Sequence, residues 1–131
     1  MRMVYSETLL DHFHSPRKVG RLNETARDVG TGVAGTRETG GVLRLQIRIH
    51  EDGRVNDARF QAYGPPALIA AGSWLAEALP GRTLQDAEAM GYQQIAKTLD
   101  IPPARLHFAM VAEDAIRAAI QDYKDKQKVY A

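Results

Sequence analysis

The sequence predicts an α+β fold, with a small antiparallel three-stranded sheet and helices packed on one face. Three observations predict it. Apolar and polar residues alternate strictly from Val42 to His50, a turn signal at Glu51-Asp52-Gly53 joins that run to a second one, and after Gly64-Pro65-Pro66 the apolar period becomes helical. Strands early and helices late is the pattern of an α+β domain rather than of alternating βαβ units.

Each element has a local reason. Tyr5–Phe13 reads as a short amphipathic helix, with Leu9, Leu10 and Phe13 apolar and Ser6 as its cap; Ser15-Pro16 and Gly20 end it. Asp28–Thr36 carries Gly30, Gly32 and Gly35, so it reads as a weak, edge-type strand. In the central strand Leu43, Leu45, Ile47 and Ile49 face one way while Arg44, Gln46, Arg48 and His50 face the other. The next strand sets Ala58, Phe60 and Ala62 opposite Arg59, Gln61 and Tyr63. Val55 is out of phase with that set, which predicts a bulge near Asn56-Asp57.

A helix from Pro66 to Leu79 starts on a proline, tolerated in the first turn, and stops at Pro80-Gly81. Thr83 caps a short piece through Met90, with Asp86 at the capping-box position, and a further short helix covers Tyr92–Leu99. Ile101-Pro102-Pro103 is an extended break. The last helix runs from near Ala104 to about Lys128. Its inner stripe is Phe108, Val111, Ala112, Ala115, Ala119 and Tyr123, and Glu113–Arg117 and Asp122–Lys126 pair outside.

A length of 131 residues suits one domain spanning 1–131, large enough to build a core without disulfides or structural metal. Seventeen basic and 16 acidic residues leave a net charge of +1, which points to neither a nucleic acid nor an anionic membrane as partner. The longest apolar stretch, Ala67–Leu79, is too short and too polar to span a bilayer, and the opening residues lack the apolar run of an export signal. A cytoplasmic location is the expectation. The absence of cysteine excludes disulfides, zinc–thiolate sites, redox pairs and thiol nucleophiles together.

Several motifs carry less than their letters suggest. Gly30-Thr31-Gly32-Val33-Ala34-Gly35 fits the dinucleotide fingerprint, but the element that follows is a strand, so no helix N-terminus faces a pyrophosphate. His12 and His14 lie on different sides of a helix end with no completing ligands, and read as solvated surface histidines. Ser6, Ser15 and Ser73 lack a strand–turn–helix elbow, and Glu88, Glu113 and Asp114 read as solvated helix-face carboxylates. No constellation points to an enzyme.

Six ordered stretches resemble the IscU/NifU N-terminal family of iron–sulfur cluster assembly scaffolds. They are Tyr5-Ser6-Glu7 with Asp11-His12 and Ser15-Pro16-Arg17-Lys18-Val19-Gly20; Val29-Gly30-Thr31-Gly32; Gly41-Val42-Leu43-Arg44-Leu45-Gln46-Ile47; Asp57-Ala58-Arg59-Phe60-Gln61-Ala62-Tyr63-Gly64; Ile101-Pro102-Pro103-Ala104-Arg105-Leu106-His107; and Ala112-Glu113-Asp114-Ala115-Ile116. The resemblance implies a site that holds a nascent cluster through three cysteines plus a histidine or aspartate. It also implies two partners, a cysteine desulfurase and a heat-shock-type chaperone that reads the segment matched by Ile101, Pro102, Pro103, Ala104 and Arg105.

The ligand positions fall on Thr39, Gly41, Pro65, His107 and Phe108, of which only His107 keeps a donor of the expected kind. Clusters are held by thiolates, with histidine substituting only in part. Proline and phenylalanine have no donor atom, and a threonine hydroxyl stays protonated near neutrality. Proline and phenylalanine also change backbone and volume, as divergence does and a conservative removal of cysteines does not.

The expectation is therefore a scaffold-like protein without the cysteine ligands and without an expected cofactor, acting as a non-catalytic partner-binding, regulatory or carrier chain. The alternative is weak binding of a single iron or zinc by His107, with Glu38 or a partner's ligand. Phe108 is further expected to fill the space of a cluster, and Pro65-Pro66 to stiffen the loop beside it.

Overall fold

The computed structural model describes residues 4–130; residues 1–3 and 131, part of the expected 1–131 domain, lie outside the described residues. Helix α1 spans Glu7–His14. Strands β1 (Val29–Thr36), β2 (Gly41–Ile49) and β3 (Val55–Tyr63) follow. Helices α2 (Pro66–Ala78), α3 (Leu84–Glu88), α4 (Tyr92–Leu99) and α5 (Leu106–Tyr130) complete the chain, with a 3-10 turn at Pro103–Arg105. The strands form an antiparallel meander in the order β1-β2-β3, so the predicted fold class is what the chain adopts.

The inner face of the sheet carries Leu43, Leu45, Ile47, Ala58 and Phe60, all buried. Helix α2 lies against β2 and β3, and α5 against β1 and β2. Helix α2 is buried nearly all round, through Ala67, Leu68, Ala70, Ala71, Gly72, Ser73, Leu75 and Ala76, because α1 and α5 cover the sides the sheet leaves open. The predicted bulge is present. Arg48 pairs with Asp57 and Ile49 with Val55, leaving Asn56 as the extra residue.

The glycines of β1 have a packing role. A Cβ on Gly30 would stand 2.1 Å from the Ala119 carbonyl oxygen, and one on Gly32 would stand 2.3 Å from the Ala115 oxygen and 2.4 Å from the Ala119 nitrogen. Bare backbone on the strand lets the backbone of α5 lie directly on it. The strand is paired with β2 over its whole length. Its free edge is partly closed by α5. Asp122 Oδ2 accepts from Thr31 N at 2.8 Å, and Lys126 Nζ donates to the carbonyls of Glu24 (2.5 Å), Ala26 (3.1 Å) and Val29 (2.6 Å). The pairs Asp122–Lys126 (3.6 Å) and Glu113–Arg117 (3.3 Å) form as predicted.

The opposite edge is covered by the segment after α1. Gly20 N donates to the Phe60 carbonyl and Phe60 N to the Lys18 carbonyl, each at 3.0 Å. The same segment reaches the outer face of the sheet. There Gln46, 1% exposed, accepts from Leu22 N at 2.7 Å and donates to Leu22 O and Thr31 Oγ1. Gln46 is thus a satisfied buried amide rather than a solvated strand residue.

Two further expectations are corrected. His14 is exposed, but His12 is 4% exposed, with Nδ1 2.8 Å from Ser73 Oγ, which also accepts from Arg17 N at 2.8 Å. The α1 register that buries Leu9 also buries His12, one turn on. Glu113 is no solvated carboxylate. Only 15% of its side chain is exposed, and Oε1 accepts from Tyr92 N at 3.3 Å, capping α4, whose own N-cap, Gly91, has no side chain to do so.

Gly32→Ala is expected to destabilise the chain by about 1–3 kcal/mol through this overpacking, read as a lower midpoint in urea unfolding. His12 gives a pH dependence. Burial first, and the Arg17 charge second, lower its pKa from the ordinary 6.5, against weaker opposition from Glu77 and Asp11. The unfolded chain therefore binds the proton first, so this contribution to stability is complete above pH 6.5 and is lost as pH falls below it. Urea titrations at neutral and mildly acid pH are expected to show a smaller loss for His12→Asn than for the wild-type chain.

Candidate functional site

The start of α5, the β1–β2 turn and the β3–α2 junction meet at one corner of the molecule, around an open groove of ≈ 780 Å³. Thr39, Gly40, Tyr63, Gly64, Pro65, Ile69, Arg105, His107 and Phe108 line it. Four of the five ligand positions, Thr39, Pro65, His107 and Phe108, are thus together. Gly41 stands directly beneath, since a Cβ there would lie 3.2 Å from Phe108 Cε1.

The turn holding Thr39 is closed by its own side chains. Thr39 Oγ1 donates to the Thr36 carbonyl at 3.0 Å and accepts from Thr36 N at 3.1 Å, while Thr36 Oγ1 accepts from Thr39 N at 3.1 Å. The Thr39 hydroxyl is therefore already engaged in the turn. Gly40, at φ +99°, completes the reversal in a conformation that suits glycine.

Pro65 is the N-cap of α2, at φ −75° and ψ 170°, and its carbonyl accepts from Leu68 N (3.0 Å) and Ile69 N (3.3 Å). With Pro66 at the first helical position, the loop passes into α2 through two residues of fixed φ. At Gly41 there is no room for a side chain. A Cβ would meet Leu68 Cδ2 at 2.5 Å and the Tyr63 carbonyl at 3.1 Å, besides the Phe108 ring.

Phe108 is 4% exposed and packs into the main core. His107, its neighbour, is exposed, and the two rings lie with centroids 3.9 Å apart at 39°. Among the described residues no three His, Cys, Asp or Glu side chains converge as a metal site.

The segment from Ile101 to Arg105 flanks this corner. Asp100, at φ 50°, ends α4 in the left-handed conformation, and Ile101 follows it into the core at 7% exposure, its N–H bound to the Ala96 carbonyl at 2.9 Å. Pro103 and Ala104 are exposed on the turn that opens α5. Arg105 turns back to line the groove, and its Nε is buried without a hydrogen-bond acceptor. The structure thus brings Arg105 next to His107 and Phe108 and leaves Pro103–Ala104 as an outward ledge. Tyr63, Gly64 and Ile69 line the groove without having been singled out from the sequence. Tyr63-Gly64 belongs to a stretch that carries the resemblance, whereas Ile69 has no distinguishing signal.

The chain is thus a three-stranded antiparallel meander with helices packed on it and a groove at the strand ends. The chain belongs to the NifU-like N-terminal domain family, whose model matches residues 4–130. It is 46% identical over 125 residues, 95% of this chain and 98% of the other, to the iron–sulfur cluster assembly scaffold protein IscU of Azotobacter vinelandii. It is 41% identical over 126 residues to IscU of Escherichia coli K12, covering 96% of this chain and 98% of that one. A crystal structure of a nitrogen-fixing NifU-like protein (N-terminal) from Brucella abortus superposes with a TM-score of 0.69 over 92% of this chain and 94% of that one, at 15% identity. Its likeness is one of fold. No helix among the described residues is long and apolar enough to cross a membrane.

This kinship corrects the expectation that no cofactor belongs here. Relatives at 41–46% identity over nearly the whole chain are named iron–sulfur cluster assembly scaffolds. The expectation rested on the absence of thiolates at Thr39, Pro65 and Phe108. A narrower statement holds. The sequence contains no cysteine, and the groups at the corner do not by themselves fit a thiolate-held cluster.

The packing at the corner has a measurable signature. Gly41→Asp is expected to cost about 1–3 kcal/mol by overpacking, and Phe108→Ala about 3–5 kcal/mol by leaving a cavity. The double variant should lose less than the sum, because truncating the ring frees space for the new side chain. A double-mutant cycle in urea measures this, and additive values would count against contact between the two sites.

Proposed function

We propose that this chain works in iron–sulfur cluster assembly as a non-catalytic docking protein, joining the machinery through its surfaces rather than through thiolates of its own. One observation carries the reading. The exposed Pro103–Ala104 ledge and Arg105 stand beside a corner where Thr39, Pro65 and Phe108 serve the fold itself. In this reading Phe108 serves the core, and Pro65-Pro66 stiffen the adjoining loop. Ile101 anchors the ledge from the core, so the ledge is presented in one conformation and a partner meets little ordering cost.

The proposed partners are a cysteine desulfurase and a heat-shock-type chaperone of cluster assembly, met in the cytoplasm. A related chain from Yarrowia lipolytica, 42% identical over 127 residues, is named mitochondrial, so location is to be tested with the partners.

The test is an anaerobic pull-down of the full chain with each partner, followed by incubation with iron, sulfide and a small thiol. The expected result is a complex with at least one partner that Ala104→Glu with Arg105→Glu abolishes. Any visible charge-transfer bands should then appear only when a cysteine-bearing partner is present. Stable bands and stoichiometric iron on this chain alone would overturn the reading, as would the absence of any complex.

A further inference from the structure

The sheet edge formed by β1 is closed along only half of its length. In an antiparallel strand, residues that bond the neighbouring strand alternate with residues whose N–H and C=O point the other way. Thr31 N donates to Asp122 and the Val29 carbonyl accepts from Lys126, so the backbone groups of Val29, Thr31 and Val33 point away from β2. The Thr31 carbonyl and both groups of Val33 find no partner among the described residues. Val33 is 54% exposed. The stretch Thr31-Gly32-Val33-Ala34 has no charge, proline or register shift of the kind that protects exposed edges, and Gly35, at φ +84°, ends it.

We propose that this open edge takes up an extended polypeptide segment of a partner as a fourth strand, with a basic side chain beside Asp114. The inference does not depend on the ledge at Pro103–Ala104. The hydrogen-bond pattern selects the occupant. A donor and an acceptor on one residue, at strand spacing, are matched by the backbone of another strand.

Helix α5 supplies the sign of the charge. Ala118 and Asp114 continue the line of Asp122 in steps of four residues, so this flank of the helix runs along the open edge. A Cβ on Gly32 would stand 3.0 Å from the Ala118 carbonyl carbon, which places the flank beside the strand. The small Ala118 leaves room there. Asp114 is exposed and has no ion-pair or hydrogen-bond partner among the described residues. Three cations around β1 are already engaged, Lys126 by carbonyls, Arg44 by Glu24 and Arg37 over the Tyr63 ring. A second copy of this chain does not fit. Its β1 would lie about 4.8 Å away. Each β1 carries an α5 directly upon it, and packed helices need about 8–10 Å between axes.

The probe is a fluorescein-labelled hexapeptide of alternating lysine and valine, titrated with the full chain and read by anisotropy. Val33→Pro removes an N–H that the fold does not use, so it should keep the far-UV circular dichroism and weaken binding about tenfold. Asp114→Lys should weaken it about threefold. Peptides N-methylated at every second residue give a test that needs no variant. Methylation in one register should abolish binding and in the other should spare it, because only one set of N–H groups meets β1. Ala104→Glu with Arg105→Glu should leave peptide binding intact, which separates failure here from failure of the ledge. The proposal is overturned if the peptide does not bind, if the two methylated registers behave alike, or if folded Val33→Pro binds as well as the wild-type chain. It is also overturned if an aspartate-substituted peptide binds as tightly, or if the wild-type chain forms a dimer that Val33→Pro abolishes.

Discussion

The close approach of α5 to the sheet fixes where everything else can stand. Carbonyl oxygens of Ala115 and Ala119 occupy the places where side chains of Gly32 and Gly30 would begin. Any side chain at either position lifts the helix or shifts the strand. An α-helix is stiff over this length, so a displacement at Ala115 is carried to residue 108, about two turns away. Arg105, His107 and Phe108 therefore meet Thr39 and Pro65 because of a glycine contact in the middle of the molecule. Asp122 and Lys126 lock the same helix against the edge of β1 from its other end.

Much of this could be read in the sequence because it depends on local period and turn chemistry. The alternation of β2, the Asn56 bulge, the Ser6 and Thr83 caps and the break at Ile101–Pro103 all have causes within a few residues. What escaped depends on contacts between distant segments. His12 looked like half of a surface pair because its partner, Ser73, lies 61 residues on. Glu113 looked solvated because the N–H it caps belongs to another helix. The glycines of β1 looked like weakness in a strand, when they are the imprint of a helix that comes later in the chain. Ala109, Ile116 and Ile120 are buried beside the predicted stripe of α5, because α2, α3 and α4 pack on α5 as well as the sheet.

At the corner, the four non-histidine positions were legible as departures from a ligand pattern but not as parts of the fold. The Thr39 hydroxyl is engaged twice with Thr36, the Pro65 carbonyl opens α2, Gly41 lies under Leu68, and Phe108 belongs to the core. Burying a phenylalanine contributes roughly 1.5–3 kcal/mol, a large share of the marginal stability of a domain this size. Each of the four thus has a structural reason to be what it is. Replacing one by a thiol exchanges a packing or hydrogen-bonding role for a ligand rather than filling a vacancy.

This separates two tasks that share one corner. The ledge at Pro103–Ala104 and the ring of Tyr63 are exposed and stabilise little, so their identity is weakly constrained by folding. Phe108 and Gly41 are constrained by folding and have no free donor atom to offer. The corner is therefore costly to change from within, through Phe108 and Gly41, and open from without, at the groove. Arg105, His107 and Tyr63 are side chains with polar groups that this protein presents at the groove beside Phe108.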